Sequence, residues 1–359
     1  MKRLALLFVL LLVAGTAAAA DTPLLPEYPT VTPGAVIQFP RDHGAHPDFR
    51  SEWWYVTGWL SGDDGKPMGF QVTFFRTRPS VDQNNPSAFA VKQVLFAHAA
   101  LSDPSVGHLL HDQRAARAGL GLAEASTDDT DVVIDDWSLK RDGSGVFHAK
   151  AGGADFMLDL NFAPMQAVLM EGENGYSRKG PQLEQASHYY SIPHLGVTGT
   201  VKRGGRAVAV KGTAWLDREW SSSYLDANAV GWDWVGFNLN DGSALMAFQI
   251  RKADGSALWA GGTLRDARGA VTTFAPEHVS FSTERKWTSP RTGAVYPVER
   301  VLKVKLPSGE REWRVKPLFD DQELDSRAAG GPVYWEGAAS VDSGHGYLEL
   351  TGYFRALKL

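Results

Sequence analysis

The chain of 359 residues contains no cysteine, which excludes a disulfide, a thiolate nucleophile, a thiolate metal ligand and a lipoprotein attachment site. A fold without cross-links has to be held by its buried core. Basic runs are missing too. The net charge is −5, and it is more acidic still without Lys2 and Arg3, so the charge pattern of a nucleic-acid binder is absent and that partner is set aside. Beyond the first 20 residues no stretch approaches the ~18 uninterrupted apolar residues of a membrane-spanning helix. Helical periodicity is scarce, with room for short helices only at residues 219–227 and 276–280. HExxH, P-loop and G-x-S-x-G patterns are lacking, so a metal, a cofactor and a serine nucleophile are not expected.

What is present begins with an export signal. Lys2 and Arg3 precede an apolar run from Leu4 to Val13, and Ala17 to Ala20 stand before Asp21; residues 1–20 therefore read as a cleaved secretory signal and the mature protein as periplasmic. Residues 21–47 hold Pro23, Pro26, Pro29, Pro33, Pro40 and Pro47 and lack a period. They read as an extended lead-in packed on the surface of the fold. From there short β-type runs are divided by Gly, Pro and Asp, the texture of a sandwich or barrel. In the first run Trp53, Tyr55, Thr57 and Trp59 alternate with Trp54, Val56, Gly58 and Leu60. A strand bulky on both sides faces a core on one and a ligand cavity or second layer on the other.

Several blocks return in order. Trp53, Val56 and Leu60 recur as Trp232, Val235 and Leu239, and Met68, Phe70, Gln71 and Val72 as Met246, Phe248, Gln249 and Ile250. Phe96, Ala97, Leu101 and Asp103 recur as Trp259, Ala260, Leu264 and Asp266; a weaker match joins Val201, Val210 and Gly212 to Val341, Leu350 and Gly352. The repetition predicts an all-β chain of two antiparallel barrels related by internal duplication, each of eight to ten strands, over residues 48–225 and 226–359.

Four segments carry a family resemblance: Ser51-Glu52-Trp53-Trp54-Tyr55, Phe70-Gln71-Val72-Thr73-Phe74-Phe75-Arg76, His98-Ala99-Ala100-Leu101-Ser102-Asp103 and Trp215-Leu216-Asp217-Arg218-Glu219-Trp220. Together they resemble the AttH and carotenoid 1,2-hydratase family over nearly the whole mature chain. The resemblance implies two lipocalin-like barrels in tandem. Activities in that family include addition of water to isoprenoid double bonds and cyclisation, and some exported bacterial members are associated with ABC-transporter operons. It implies, further, that His188, Tyr190, Trp215 and Asp217 form the catalytic set, with tyrosine and tryptophan exchanged relative to the hydratases.

The residues themselves admit that chemistry. Protonating an unactivated alkene needs a carboxylic acid kept neutral by burial and π faces for the cation. Asp217 and Trp215 share one strand face, as do His188 and Tyr190, so all four are expected to line a cavity in the first barrel. Asp217-Arg218-Glu219 can equally be a surface charge cluster, and His188 a hydrogen-bonded core histidine. On the alignment of Gly212 with Gly352, Asp217 falls on Leu357 and His188 on Ala328, which leaves the polar set to the first repeat. Twelve tryptophans and 17 phenylalanines serve either a barrel core or an aromatic ligand pocket. Candidate ligand contacts are Trp53, Tyr55, Phe74, His98, Trp220 and Trp234. Arg50 and Glu52 read as an ion pair at the start of a strand, His43 and His46 as part of a flexible lead-in, and residues 171–180 as a polar rim loop. The resulting expectation is a monomeric, exported protein that binds a lipid, isoprenoid or other apolar molecule and works with an ABC transporter permease. The alternative is a hydro-lyase acting on an isoprenoid or polyene, and the third reading, a secreted hydrolase, lacks a nucleophile.

Overall fold

The computed structural model describes residues 25–357; the expected export signal lies outside them. A first sheet opens with β1 (Ser51–Ser61), β2 (Pro67–Thr77), β3 (Val94–Ser102) and β4 (Leu110–Arg117). It continues through β5 (Ala123–Ala125), β6 (Asp131–Ile134), β7 (Trp137–Arg141), β8 (Phe147–Gly152) and β9 (Phe156–Pro164). After β10 (Leu169–Met170) and β11 (Tyr176–Arg178) comes a long hairpin, β12 (Ala186–Arg203) with β13 (Arg206–Ser223). A second sheet holds β14 (Ala229–Leu239), β15 (Ala244–Lys252), β16 (Ala257–Arg265), β17 (Val271–Phe274) and β18 (Val279–Thr288). Its remaining strands are β19 (Val295–Leu306), β20 (Gly309–Pro317), β21 (Glu323–Asp325), β22 (Val333–Val341) and β23 (Gly344–Leu350). Residues 219–223 complete β13 where a helix had room, and the Pro276–His278 segment is a single 3-10 turn.

Both sheets are antiparallel and follow one order. The first runs β4-β3-β2-β1-β13-β12-β9-β8-β7-β6-β5, the second β17-β16-β15-β14-β23-β22-β20-β19-β18. In the first, β3 and β4 come back against β6, which nearly closes a barrel; in the second, β16 and β17 approach β18 and β19. These are two lipocalin-like barrels of matching topology.

Strand pairing tests the repeat residue by residue. Val56 and Val235 both point into their barrels, and they pair with Val72 and Ala247 across the first hairpin and with Leu216 and Leu348 on the other side. The match of Trp53, Val56 and Leu60 to Trp232, Val235 and Leu239 therefore keeps every face. The match of Phe70 to Phe248 does not: Phe70 is inside the first barrel, Phe248 between the barrels. The second hairpin is shorter, and Val72 corresponds to Ala247 and Arg76 to Arg251. Likewise Asp217, opposite Tyr55, corresponds to Glu349, opposite Trp234, and not to Leu357. The polar position is thus kept in both repeats, contrary to the sequence alignment.

Three apolar clusters result: one inside each barrel and one between them, where Tyr55, Tyr189 and Trp215 of the first sheet pack on Trp234, Phe248 and Tyr347 of the second. Bulky residues on both faces of β1 and β14 are accounted for by this arrangement, with a core behind and a second layer in front. Burying each large aromatic side chain contributes about 1.5–3 kcal/mol. Trp59 Nε1 donates to Gly346 O at 2.8 Å and Asn238 Nδ2 to Ala214 O at 3.0 Å across the seam. The barrels come so close at Gly69 that a Cβ there would lie 2.4 Å from Ala338 Cβ.

The lead-in does more than cover the surface. Its Arg41–His43 turn and the residues up to His46 insert into the first barrel, with Asp42, His43 and His46 buried. His43 Nδ1 meets the Tyr190 hydroxyl at 2.6 Å and Trp54 Nε1 donates to His43 O at 2.9 Å. Glu52 is paired in the barrel interior with Arg76 and Arg218, and it accepts the His46 backbone N–H at 2.9 Å. Burial alone would raise its carboxyl, but the two guanidinium groups and His46 hold it well below the usual carboxylate range. The second barrel repeats the device: Asp233 accepts from Arg251 at 2.9 Å and Arg300 at 2.7 Å.

Candidate functional site

The site lies between the barrels and not inside one. A cavity of about 360 Å³ opens at the seam, bordered by Trp53, Tyr55, Tyr189, Trp234 and Phe248, with Asp217 on one wall and Glu336 and Glu349 on the other. Alternation dictates this. Odd-numbered residues of β1 and β13 face away from the first barrel, even-numbered residues of β14 and β15 away from the second, and the two outward faces meet.

Asp217 is 3 % exposed and accepts three hydrogen bonds. Ser191 Oγ and Trp215 Nε1 reach Oδ1, each at 2.6 Å, and the Tyr189 hydroxyl reaches Oδ2 at 2.7 Å. Tyr189 in turn accepts Trp234 Nε1 at 3.1 Å, so the second barrel supports the first barrel's acid. Burial pushes Asp217 up to about 7 against the pull of those donors. Ser191 Oγ also stands 2.8 Å from Glu171 Oε1. A hydroxyl carries a single proton, so when Ser191 donates to Asp217, Glu171 must hold a proton and donate to Ser191. Burial pushes Glu171 up to about 8, with the Asp217 charge acting in the same direction, which fits that order. The three groups form a proton path from Glu171 through Ser191 to Asp217.

The opposite wall is also acidic. Glu336 accepts the Tyr55 hydroxyl at 2.6 Å; burial and the Glu349 charge raise its carboxyl well above the usual range. Burial pushes Glu349 up to about 8. Tyr334 lies 2.8 Å from His98 Nδ1, and burial, with the nearby His111 charge, holds His98 down at about 3 and therefore neutral. Lys179 also borders the cavity. Its Nζ is 3.0 Å from Glu219 and rests 4.3 Å from the centre of the Phe248 ring and 4.6 Å from that of Tyr189.

The expected catalytic set is divided by the sheet. Trp215 and Asp217 face the seam, whereas His188 and Tyr190 face the first barrel's interior beside Trp220 and His43. The cause is a bulge. Counted back from its turn, the hairpin would pair Asp217 with Ile192 and bring His188 and Tyr190 to the same face. The pairing shifts between Ile192 and Leu195, where His194 has φ of 53°, and Asp217 pairs with Ser191 instead. Pro193, which cannot donate to the ladder, is the signal for that shift. Of the expected ligand contacts, Trp53, Tyr55, His98 and Trp234 border the cavity. Phe74 and Trp220 belong to the first barrel's core, and Trp220 stacks on His46 with ring centres 3.9 Å apart. Asp217, Arg218 and Glu219 are all buried, so they are no surface cluster. Sequence reasoning missed Tyr189, Ser191, Glu171, Glu336 and Glu349; Glu171 is buried at the start of what reads as a rim loop. Among the described residues no group of three or more His, Cys, Asp or Glu is arranged to hold a metal ion.

The AttH-like family matches residues 30–353. The crystal structure of a candidate AttH protein from Nitrosomonas europaea is 55 % identical, covers 90 % of this chain and 99 % of its own, and superposes with a TM-score of 0.84. Kievitone hydratase from Nectria haematococca shares the fold at 16 % identity and a TM-score of 0.64, over 92 % of this chain and 99 % of its own. CghA, solved with Sch210972, does so at 12 % and 0.53, over 93 % and 96 %. None of the curated proteins matches the chain.

Proposed function

The chain belongs to the AttH-like family, and from that premise we propose that it binds a lipid, an isoprenoid or another apolar molecule in the cavity between its two barrels. The cavity carries this reading: its ~360 Å³ lies within the range of small-molecule sites, and aromatic rings from both barrels wall it. The proposal extends to the periplasm and an ABC transporter permease as partner, with the basic and apolar leader of residues 1–20 as support for export. Protein recovered from its own periplasm and examined by native mass spectrometry, then by solvent extraction, is expected to carry an apolar mass. The double variant Trp234→Ala/Phe248→Ala is expected to lose it. An empty cavity in the native protein, with no apolar compound retained, would count against binding.

One observation favours a second reading, catalysis. Burial pushes Asp217 up to about 7, and Ser191 and Glu171 are hydrogen-bonded behind it, which suits a general acid and base at neutral pH. The step is hydration of an alkene. The Asp217 carboxyl protonates one alkene carbon, Tyr189 and Trp234 offer π faces to the cation, and water adds to the other carbon and returns a proton to Asp217. Asp217→Asn is expected to keep the ligand and abolish turnover; turnover retained in that variant would remove the catalytic reading and leave binding.

A further inference from the structure

The seam cavity is bordered by two buried polar atoms without partners, one on the second barrel (Glu336) and one on the first (Gln71). Glu336 is 1 % exposed; one carboxyl oxygen accepts from Tyr55 while Oε2 has nothing to bond. Gln71, also 1 % exposed, donates its amide N–H groups to Tyr334 at 3.2 Å and Thr73 at 3.1 Å, and its amide oxygen is unmatched. Both side chains border the seam cavity.

They belong to one patch. Tyr334, which Gln71 reaches, stands two residues before Glu336 and so on the same face of β22; Tyr55, which bonds Glu336, pairs directly with Thr73, which Gln71 also reaches. Within the patch the Tyr334 hydroxyl is matched to His98. Buried polar atoms are as a rule satisfied, and two exceptions bordering one cavity, from either side of the seam, point to a missing ligand group.

We propose that the ligand is an apolar alcohol or phenol whose hydroxyl accepts a hydrogen bond from Glu336 and donates one to Gln71. A hydroxyl can give and take at once, which a hydrocarbon cannot do and a carbonyl does only in part. Burial beside Glu349 keeps Glu336 protonated, so its free oxygen has a hydrogen to give. The hydroxyl is thereby held between Glu336 of the second barrel and Gln71 of the first, while the apolar body extends along the aromatic rings that border the cavity. The inference rests on the binding reading above and names the class of molecule it requires.

Farnesol and farnesene, one isoprenoid skeleton with and without a hydroxyl, form the test, with quenching of tryptophan fluorescence as the readout. Wild-type protein is expected to bind farnesol tighter by roughly fivefold or more, the worth of about one neutral hydrogen bond. Glu336→Leu is expected to erase that preference, and Glu336→Gln, whose amide still donates, to retain it. Gln71→Leu provides the same erasure should Glu336→Leu fail to give a native circular dichroism spectrum. Equal binding of the two compounds by wild type, or a preference that survives both leucine variants, overturns the inference and leaves the binding reading standing. Quenching by neither compound overturns both.

Discussion

Replacing Asp217 by asparagine isolates the cost of keeping an acid in the seam. The amide keeps the shape and has no proton to lose, so the variant reports stability without this titration. In the folded protein the Asp217 pKa is raised from 3.8 to about 7, a little over three units, worth about 4 kcal/mol at 1.36 kcal/mol per unit. The sign follows from the direction of the shift. A raised folded-state pKa means that the folded protein binds the proton more tightly, so the contribution is complete below about pH 4 and is lost as pH rises through about 7. Between pH 5 and pH 8 the wild type should lose roughly 2–3 kcal/mol relative to Asp217→Asn. Glu171 titrates in both proteins and largely cancels in the difference, although its coupling to Asp217 makes 4 kcal/mol a ceiling.

Urea unfolding of both proteins at pH 5, 6.5 and 8 measures this directly. Infrared difference spectra supply the second readout: the carbonyl stretch of a protonated carboxylic acid should weaken in the wild type across neutral pH, and that component should be missing from Asp217→Asn. Parallel stability curves, differing by a constant over the whole range, would refute the reasoning. They would mean that the Ser191, Trp215 and Tyr189 donors outweigh burial and keep Asp217 ionised throughout.

Three further outcomes follow from the same geometry. Glu52→Gln leaves Arg76 and Arg218 buried without their anion and should cost on the order of 3–5 kcal/mol in urea unfolding, while a cost under ~1 kcal/mol would place the guanidinium groups in contact with water. His188→Ala should leave affinity for farnesol within about twofold of wild type, because the imidazole lies on the other side of the sheet; a loss of tenfold, about 1.4 kcal/mol, would bring His188 back to the site. Gly69→Val forces a side chain against Ala338 and should destabilise by about 1–3 kcal/mol, whereas an unchanged urea midpoint would mean that the barrels part without cost.

Alternation and aromatic density made the two barrels legible in the sequence, because a period of two survives any error of register. Face assignment does not survive such errors. Trp53, Tyr55 and Trp234 were readable as residues of a cavity-facing strand side, since β1 and β14 are regular at those positions. His188 and Tyr190 were misassigned because the one-residue bulge after Ile192 exchanges the two faces of β12 below it. The hairpin match of Phe70 to Phe248 failed for a similar reason, as a shorter turn in the second repeat displaced its return strand. Glu171 had no periodic signal at all, since it sits outside the long strands and is buried only by tertiary packing.

The charge states of the buried acids separate scaffold from site. Inside each barrel one carboxylate lies between two arginines, Glu52 with Arg76 and Arg218 and Asp233 with Arg251 and Arg300, and Arg76 and Arg251 occupy equivalent positions in the duplicated hairpin. Opposite charge offsets burial there, which holds the Glu52 carboxyl well below the usual carboxylate range. At the seam the equivalent pair Asp217 and Glu349 meets no arginine. Its neighbours are hydroxyls, indoles and other acids, so burial prevails and pushes the two carboxyls up, Asp217 to about 7 and Glu349 to about 8. The repeats then diverge where it matters for chemistry: Ser191, opposite Asp217, becomes Glu336, opposite Glu349, and Tyr55 becomes Trp234. One wall has thereby acquired a relay of proton donors and acceptors, and the other a free carboxyl oxygen. Neither barrel alone encloses both, and for that reason the functional unit is the pair.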